Sequence, residues 1–159
     1  MVRSNITIEN ARILFRDFSG EKNRYNSDRT FTVVIEPDLA AKLEADGWPI
    51  KYLEPRNEEE ERLPILRVKV SFGKIPPQIV LISGGVKKSL NEDNVNILDW
   101  AYIENVDVII RPYNYDINGK TGVKAYLKSL WVTVRDESLE EKYRDIPYAS
   151  GEDEPVPFE

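Results

Sequence analysis

The stretch from Ile103 to Val134 constrains the fold more than any other. Two β-rich runs flank Asn118-Gly119-Lys120-Thr121-Gly122. Asn-Gly between such runs is the strongest short-range hairpin signal, because both central residues of the tight turn need positive φ. Side chains alternate faces along a strand. In the first arm Val106, Val108 and Ile110 share one face, and Arg111, Tyr113 and Tyr115 share the other. In the second arm Val123, Ala125 and Leu127 lie together, against Lys124, Tyr126 and Lys128. A two-residue turn at Asn118-Gly119 or at Gly119-Lys120 pairs odd positions with even ones. Either choice puts the three tyrosines and three cations on one surface.

That surface has a definite chemical use. Aromatic rings stack on bases of any kind for about 1–3 kcal/mol each, while cations track the phosphates, so the pattern suits single-stranded nucleic acid. The bland account is an ordinary exposed sheet face, since cross-strand aromatic pairs stabilise sheets without any ligand. Other basic residues extend the candidate surface. Arg67 and Lys69 share one face of the run Leu63 to Phe72, opposite Leu66, Val68 and Val70. Lys22, Arg24 and Tyr25 lie in the polar loop Ser19 to Asp28, and Arg12 and Arg16 take the polar parity of the first strand. Each taken singly is as well explained as a solubilising charge. Trp48, Trp100 and Trp131 are assigned to the core, where most of a tryptophan is usually buried.

The rest of the body also reads mainly as strands. Ile6 and Ile8 alternate, then Ala11, Ile13 and Phe15 alternate on the opposite parity. A phase slip near Glu9-Asn10 predicts a β-bulge that bends the strand. Thr30 to Ile35 is a second run, stopped by Pro37; a short helix follows, with Asp38 as its cap, Leu39, Ala40 and Leu43 as its apolar stripe, and Gly47 at its end. Trp48 to Leu53 is broken by Pro49 and reads as an irregular or edge segment. Gln78 to Ser83 is another strand, and Ser89 with Glu92 forms a capping-box pattern ahead of Val95 and Leu98. Five or six strands, a long bent first strand and one or two short helices suit a Greek-key barrel of the oligonucleotide/oligosaccharide-binding (OB) type, with an open mixed sheet as the alternative.

Charge divides the chain in two. From Asp136 to Glu159 there are nine acidic residues against Lys142 and Arg144, whereas residues 1–135 hold 19 acids and 20 bases. The net charge of −6 therefore belongs to the last 24 residues. Ending Gly151-Glu-Asp-Glu-Pro-Val-Pro-Phe-Glu159, this segment has too little apolar surface to fold alone and is expected to be a disordered acidic tail. The expected organisation is a nucleic-acid-binding domain over 1–135 and a flexible arm over 136–159. Such an arm can compete with nucleic acid for a basic face, and it could cross to a second copy to hold a homodimer.

The chain has no cysteine and no histidine. That removes disulfides, thiol nucleophiles, zinc-thiolate sites and the commonest general base. No metal or cofactor is expected. The glutamates at 58–61 and Glu92-Asp93 are the only hint of a Mg²⁺-dependent nuclease, and they lie in polar stretches. Ser83-Gly-Gly-Val-Lys-Lys-Ser89 lacks the glycine-to-lysine spacing of a phosphate loop. No enzyme is expected. There is no apolar run near 18 residues and no signal-peptide pattern, so a cytoplasmic, non-membrane location is expected.

With hairpin and tail together, the chain resembles bacteriophage single-stranded DNA-binding proteins. The stretches that carry the likeness are Arg29-Thr-Phe-Thr-Val-Val-Ile35, Asp46-Gly-Trp-Pro-Ile-Lys51, Ile103-Glu-Asn-Val-Asp-Val-Ile-Ile110 and Asn118-Gly-Lys-Thr-Gly-Val-Lys-Ala-Tyr-Leu-Lys128. The resemblance implies an OB-fold, binding without sequence preference, and service to a phage replication or recombination machinery. The tail is also similar to the acidic tip of bacterial single-stranded DNA-binding proteins, with Glu152, Asp153 and Glu154 as the acids and Pro157-Phe158 as the pair that partners recognise. In those proteins the phenylalanine is terminal, whereas here Glu159 follows it. The alternative from another class is a β-rich phage structural or assembly protein, which leaves the tyrosine-lysine face and the segregated tail without a purpose.

Overall fold

The long hairpin forms as its turn dictates. In the computed structural model, which describes residues 4–21, 28–55, 57–58 and 61–135, β8 (Ile103–Ile117) and β9 (Lys120–Val134) pair antiparallel around Asn118-Gly119. Both turn residues have positive φ, 53° and 83°, as a type I′ turn requires. The other strands are β1 (Ile6–Ile8), β2 (Ile13–Asp17), β3 (Arg29–Val34), β4 (Lys51–Leu53), β5 (Leu63–Val70), β6 (Gln78–Ser83) and β7 (Val86–Leu90), with one helix, α1 (Pro37–Ala45). Nine described strands thus replace the five or six expected. The excess comes from the split first strand and from β4 and β7.

Hydrogen-bonded neighbours run β1-β8-β9-β5-β3-β2. The two ends of that path are consecutive pieces of chain, joined at Glu9–Arg12. Asn10 makes the joint in the left-handed conformation, φ 53°, with its amide donating to Asp107 Oδ1 at 2.9 Å. On either side the Ala11 amide donates to Val106 and the Val34 amide to Arg12. The expected bend near Glu9-Asn10 is therefore the point that wraps the sheet on itself. With β1 and β2 counted as one bent strand, five strands make an OB-like barrel in which β5 and β9 lie parallel.

The interior is filled by alternate residues. Leu66, Val68 and Val70 of β5 face Phe31 and Val33 of β3, while Val106, Val108 and Ile110 face Leu127, Leu130 and Val132 across the hairpin. Phe18 stacks on Phe31 with centroids 5.1 Å apart. The inward parity of β9 changes from odd to even because Lys128 is an extra residue between the pairs Ile110–Leu127 and Ile109–Ser129. That bulge coincides with a change of neighbour on the other edge of β9, from β5 at Tyr126 to β6 at Ser129.

Local expectations fare unevenly. α1 begins at Pro37 with Glu36 in the cap position, so Asp38 sits in the first turn and is not the cap. Proline is favoured there because the first amide has no helical partner anyway. Gly47, φ 92°, ends the helix as expected: its amide reaches Glu44 and that of Trp48 reaches Leu43, the paired bonds of a Schellman motif. The Tyr52 hydroxyl donates to Glu44 Oε1 at 2.7 Å, tying edge strand β4 to α1 and raising the phenol's pKa above its ordinary value. Ser89 lies in β7, so the capping box with Glu92 does not form. Asn94 takes the cap position of a single 3-10 turn at Val95–Asp99 without a side-chain cap bond. The segment before it is tied by Asn94 Oδ1 accepting from the Asn91 amide and Asn91 Oδ1 from the Asp93 amide. Gly84 and Gly85, both at positive φ, make the β6–β7 hairpin turn, so Ser83 to Ser89 is a turn and its flanking strands and not a phosphate loop.

Candidate nucleic-acid interface

The outward face of the hairpin carries the residues that parity put there. Arg111 pairs with Tyr126, Tyr113 with Lys124 and Tyr115 with Gly122. Tyr126 is the centre of the group. Its ring lies 5.2 Å from that of Tyr113, tilted by 34°, with the Arg111 guanidinium 5.0 Å from its centroid. Lys69 approaches from β5, whose parallel pairing sets it beside Tyr126, with Nζ 5.8 Å from the ring. Lys124 Nζ stands 5.7 Å from the Tyr115 ring. Tyr126 and Tyr115 are thus each bordered by a cation, an arrangement worth about 0.5–1 kcal/mol per contact at an exposed site. Tyr113 is 46% exposed, leaving much of its ring open.

The surface continues past the hairpin. Lys69 pairs with Thr30 and Arg67 with Thr32 across β5 and β3, so both cations stand on the outside of the barrel. Lys69 also meets Asp28 at 3.5 Å. Arg111 Nε is buried without a hydrogen-bond partner, with the guanidinium over the Tyr126 ring. Lys128 is exposed on its bulge, outside the cross-strand pairing. Lys22, Arg24 and Tyr25 lie outside the described residues, as do Glu152, Asp153, Glu154, Pro157 and Phe158 of the tail.

Three side chains depart from their expected places. Arg16 is not a surface cation: it donates from Nη1 to the carbonyls of Leu98 and Ala101, both at 2.9 Å, and satisfies the end of the 3-10 turn. Phe15, expected on the apolar parity, is 64% exposed. Trp100 is 42% exposed, whereas Trp48 is buried as expected. The first two changes share one cause, a second bulge in β2 between Leu14 and Asp17 that no alternation could reveal. Arg12 lines a separate cleft of about 430 Å³ at the barrel joint, with Tyr102 and Arg135.

Among the described residues, no group of three acidic side chains could hold a metal ion. Nor is any described helix long and apolar enough to cross a membrane.

The fold has solved counterparts. The single-stranded DNA-binding protein of bacteriophage Enc34, in complex with ssDNA, superposes with a TM-score of 0.55 at 14% identity, over 84% of this chain and 88% of that one. A C-terminally truncated form of the Enc34 protein gives 0.53 at 16% identity over 84% and 87%. At such identity the likeness is one of fold. No curated protein sequence matches the chain. The sequence model of the phage ssDNA-binding domain matches residues 1–156, nearly the whole length. That family is one of binding domains and not of enzymes, and this chain belongs to it.

Proposed function

We propose that the protein coats single-stranded DNA without regard to sequence in the host cytoplasm, in the service of phage replication or recombination. The observation that carries this is the Tyr113–Tyr126 pair with Arg111 and Lys69 around it, on the hairpin of the barrel's fourth and fifth strands where it adjoins the third. OB barrels bind oligonucleotides with the face of strands two and three and the loop of that hairpin. Tyr113, Tyr115 and Tyr126 stack on bases. Arg111, Lys124, Lys69, Arg67 and Lys128 neutralise phosphates and release counterions. Lys22, Arg24 and Tyr25, which lie between β2 and β3 in the sequence, add two cations and one aromatic ring to the binding.

The acidic tail acts as a competitor and a recruiter. Arg135, the residue before it in the sequence, lies 6.0 Å from the ring of Tyr102. The tail's 24 residues span at most about 80 Å when extended, ample to return to the basic face. Without DNA it shields that face. Displaced by DNA, it offers Glu152, Asp153, Glu154, Pro157 and Phe158 to replication or recombination proteins. The test is deletion of 136–159 followed by titration of labelled oligonucleotide at low salt. Tighter binding is expected, and unchanged or weaker binding overturns the competition. Titration with dT and rU oligonucleotides across a salt series tests the coating role itself.

A further inference from the structure

Three described non-glycine residues have positive φ: Asn10, Asn118 and Phe15. The two asparagines need no special account, because Asn tolerates the left-handed region. Phe15 does. It takes φ 50° in the middle of β2, where an aromatic side chain is strained, and its ring gains no burial in return. Phe15 and Arg16 together oppose the single residue Phe31, between the pairs Leu14–Thr32 and Asp17–Thr30. The bulge thus gives to phenylalanine the left-handed position that glycine usually fills.

The surroundings hold this conformation firmly. Immediately after Phe15, Arg16 is bonded to the carbonyls of Leu98 and Ala101. The amides of Phe18 and Ser19 both donate to the Asp99 carboxylate, at 2.5 and 3.2 Å. A strained residue fixed by its neighbours and pointing an apolar ring at solvent is a candidate for a functional contact.

Its place in the sheet says which contact. One row of paired residues runs Tyr126, Lys69, Thr30, Asp17 from β9 to β2, and the next runs Arg67, Thr32, Leu14. Phe15 lies between the β2 ends of these rows. Three strand spacings, about 14 Å, separate it from Tyr126, with the cations Lys69 and Arg67 in between. We propose that Phe15 is a second base-stacking platform, marking the far end of a single-strand track that starts at Tyr113 and Tyr126. This rests on the interface described above and extends it across the sheet.

The test uses the full chain and dT oligonucleotides of graded length, with F15N, F15W and Y126A compared by fluorescence anisotropy and thermal melting. F15N is expected to melt at or above the wild-type temperature, since Asn suits the conformation, yet to bind long oligonucleotides about tenfold more weakly. F15W keeps the affinity. For oligonucleotides too short to reach from Tyr126 to β2, F15N loses nothing. Unchanged F15N binding beside weakened Y126A overturns the second platform and leaves the first. If neither variant is affected, the interface itself fails. A lower melting temperature for F15N, or altered sedimentation of the DNA-free protein, would make Phe15 a packing or self-association residue and also overturns the proposal.

Discussion

The ring of Tyr115 occupies the space that a side chain on Gly122, its cross-strand partner, would need. A Cβ there would fall 2.6 Å from Cζ and 2.9 Å from Cε2 of the tyrosine. Gly122 is glycine so that the ring can lie flat on the strand, a cover that also repairs the weakness of glycine in a sheet. Gly122→Ala should therefore lift Tyr115 off and separate it from Lys124. The expected loss of oligonucleotide affinity matches that of Tyr115→Ala, and the double variant adds nothing further. Additive losses in a titration would show that the two residues act apart.

Tyr126 touches Tyr113, Arg111 and Lys69 at once. Tyr126→Ala should weaken single-strand binding by about 10- to 100-fold, the range of one lost stacking platform. Tyr126→Phe keeps the ring and should bind within about twofold of wild type. A large effect of Tyr126→Phe would point to the hydroxyl and away from stacking.

Lys124 and Tyr126 should separate in their salt dependence. Removing one phosphate contact lowers the slope of log affinity against log salt by about 0.7 for a single strand. Lys124→Ala should show that change, whereas Tyr126→Ala should weaken binding at an unaltered slope. Titrations between low and moderate salt decide it.

Arg16 carries structure and not ligand. Replacing it with methionine leaves the carbonyls of Leu98 and Ala101 unpaired, at a cost of about 1–3 kcal/mol. Urea unfolding of Arg16→Met should show that loss. A midpoint equal to wild type would remove Arg16 from the account of how the bulge is held.

Gly119 isolates the cost of the turn. Its φ is 83° and nothing lies within 4 Å of the place a Cβ would take. Gly119→Ala should therefore destabilise by about 1–2 kcal/mol through backbone strain alone, read as a lower melting temperature.

Much of the candidate site was legible beforehand, because a hairpin with a two-residue turn is a local object. Asn118-Gly119 sets the register, and alternation then puts Tyr113, Tyr115, Tyr126, Arg111 and Lys124 on one face. The bend at Asn10 was legible for the same reason, as a slip in the phase of apolar residues. What escaped were bulges without a phase signal. Phe15 kept the expected parity in sequence and lost it in space, since the extra residue in β2 is defined only against Phe31 of the neighbouring strand. Ser89 and Glu92 had the spacing of a capping box, but pairing of β7 with β6 took Ser89 into a strand.

By itself the sequence determined the hairpin, the side chains that share its outer face, the apolar parity of β5 and the confinement of net negative charge to 136–159. These follow from local periodicity, turn stereochemistry and charge counting, none of which depends on distant residues. Only the tertiary structure decided that β5 runs parallel beside β9, which sets Lys69 against Tyr126, and that the path closes through Asn10. It alone turned Phe15 outward and Arg16 to the carbonyls of the 3-10 turn. Strand order and bulges are settled by burying one shared core, and that energy exists only once strands far apart in the chain have met.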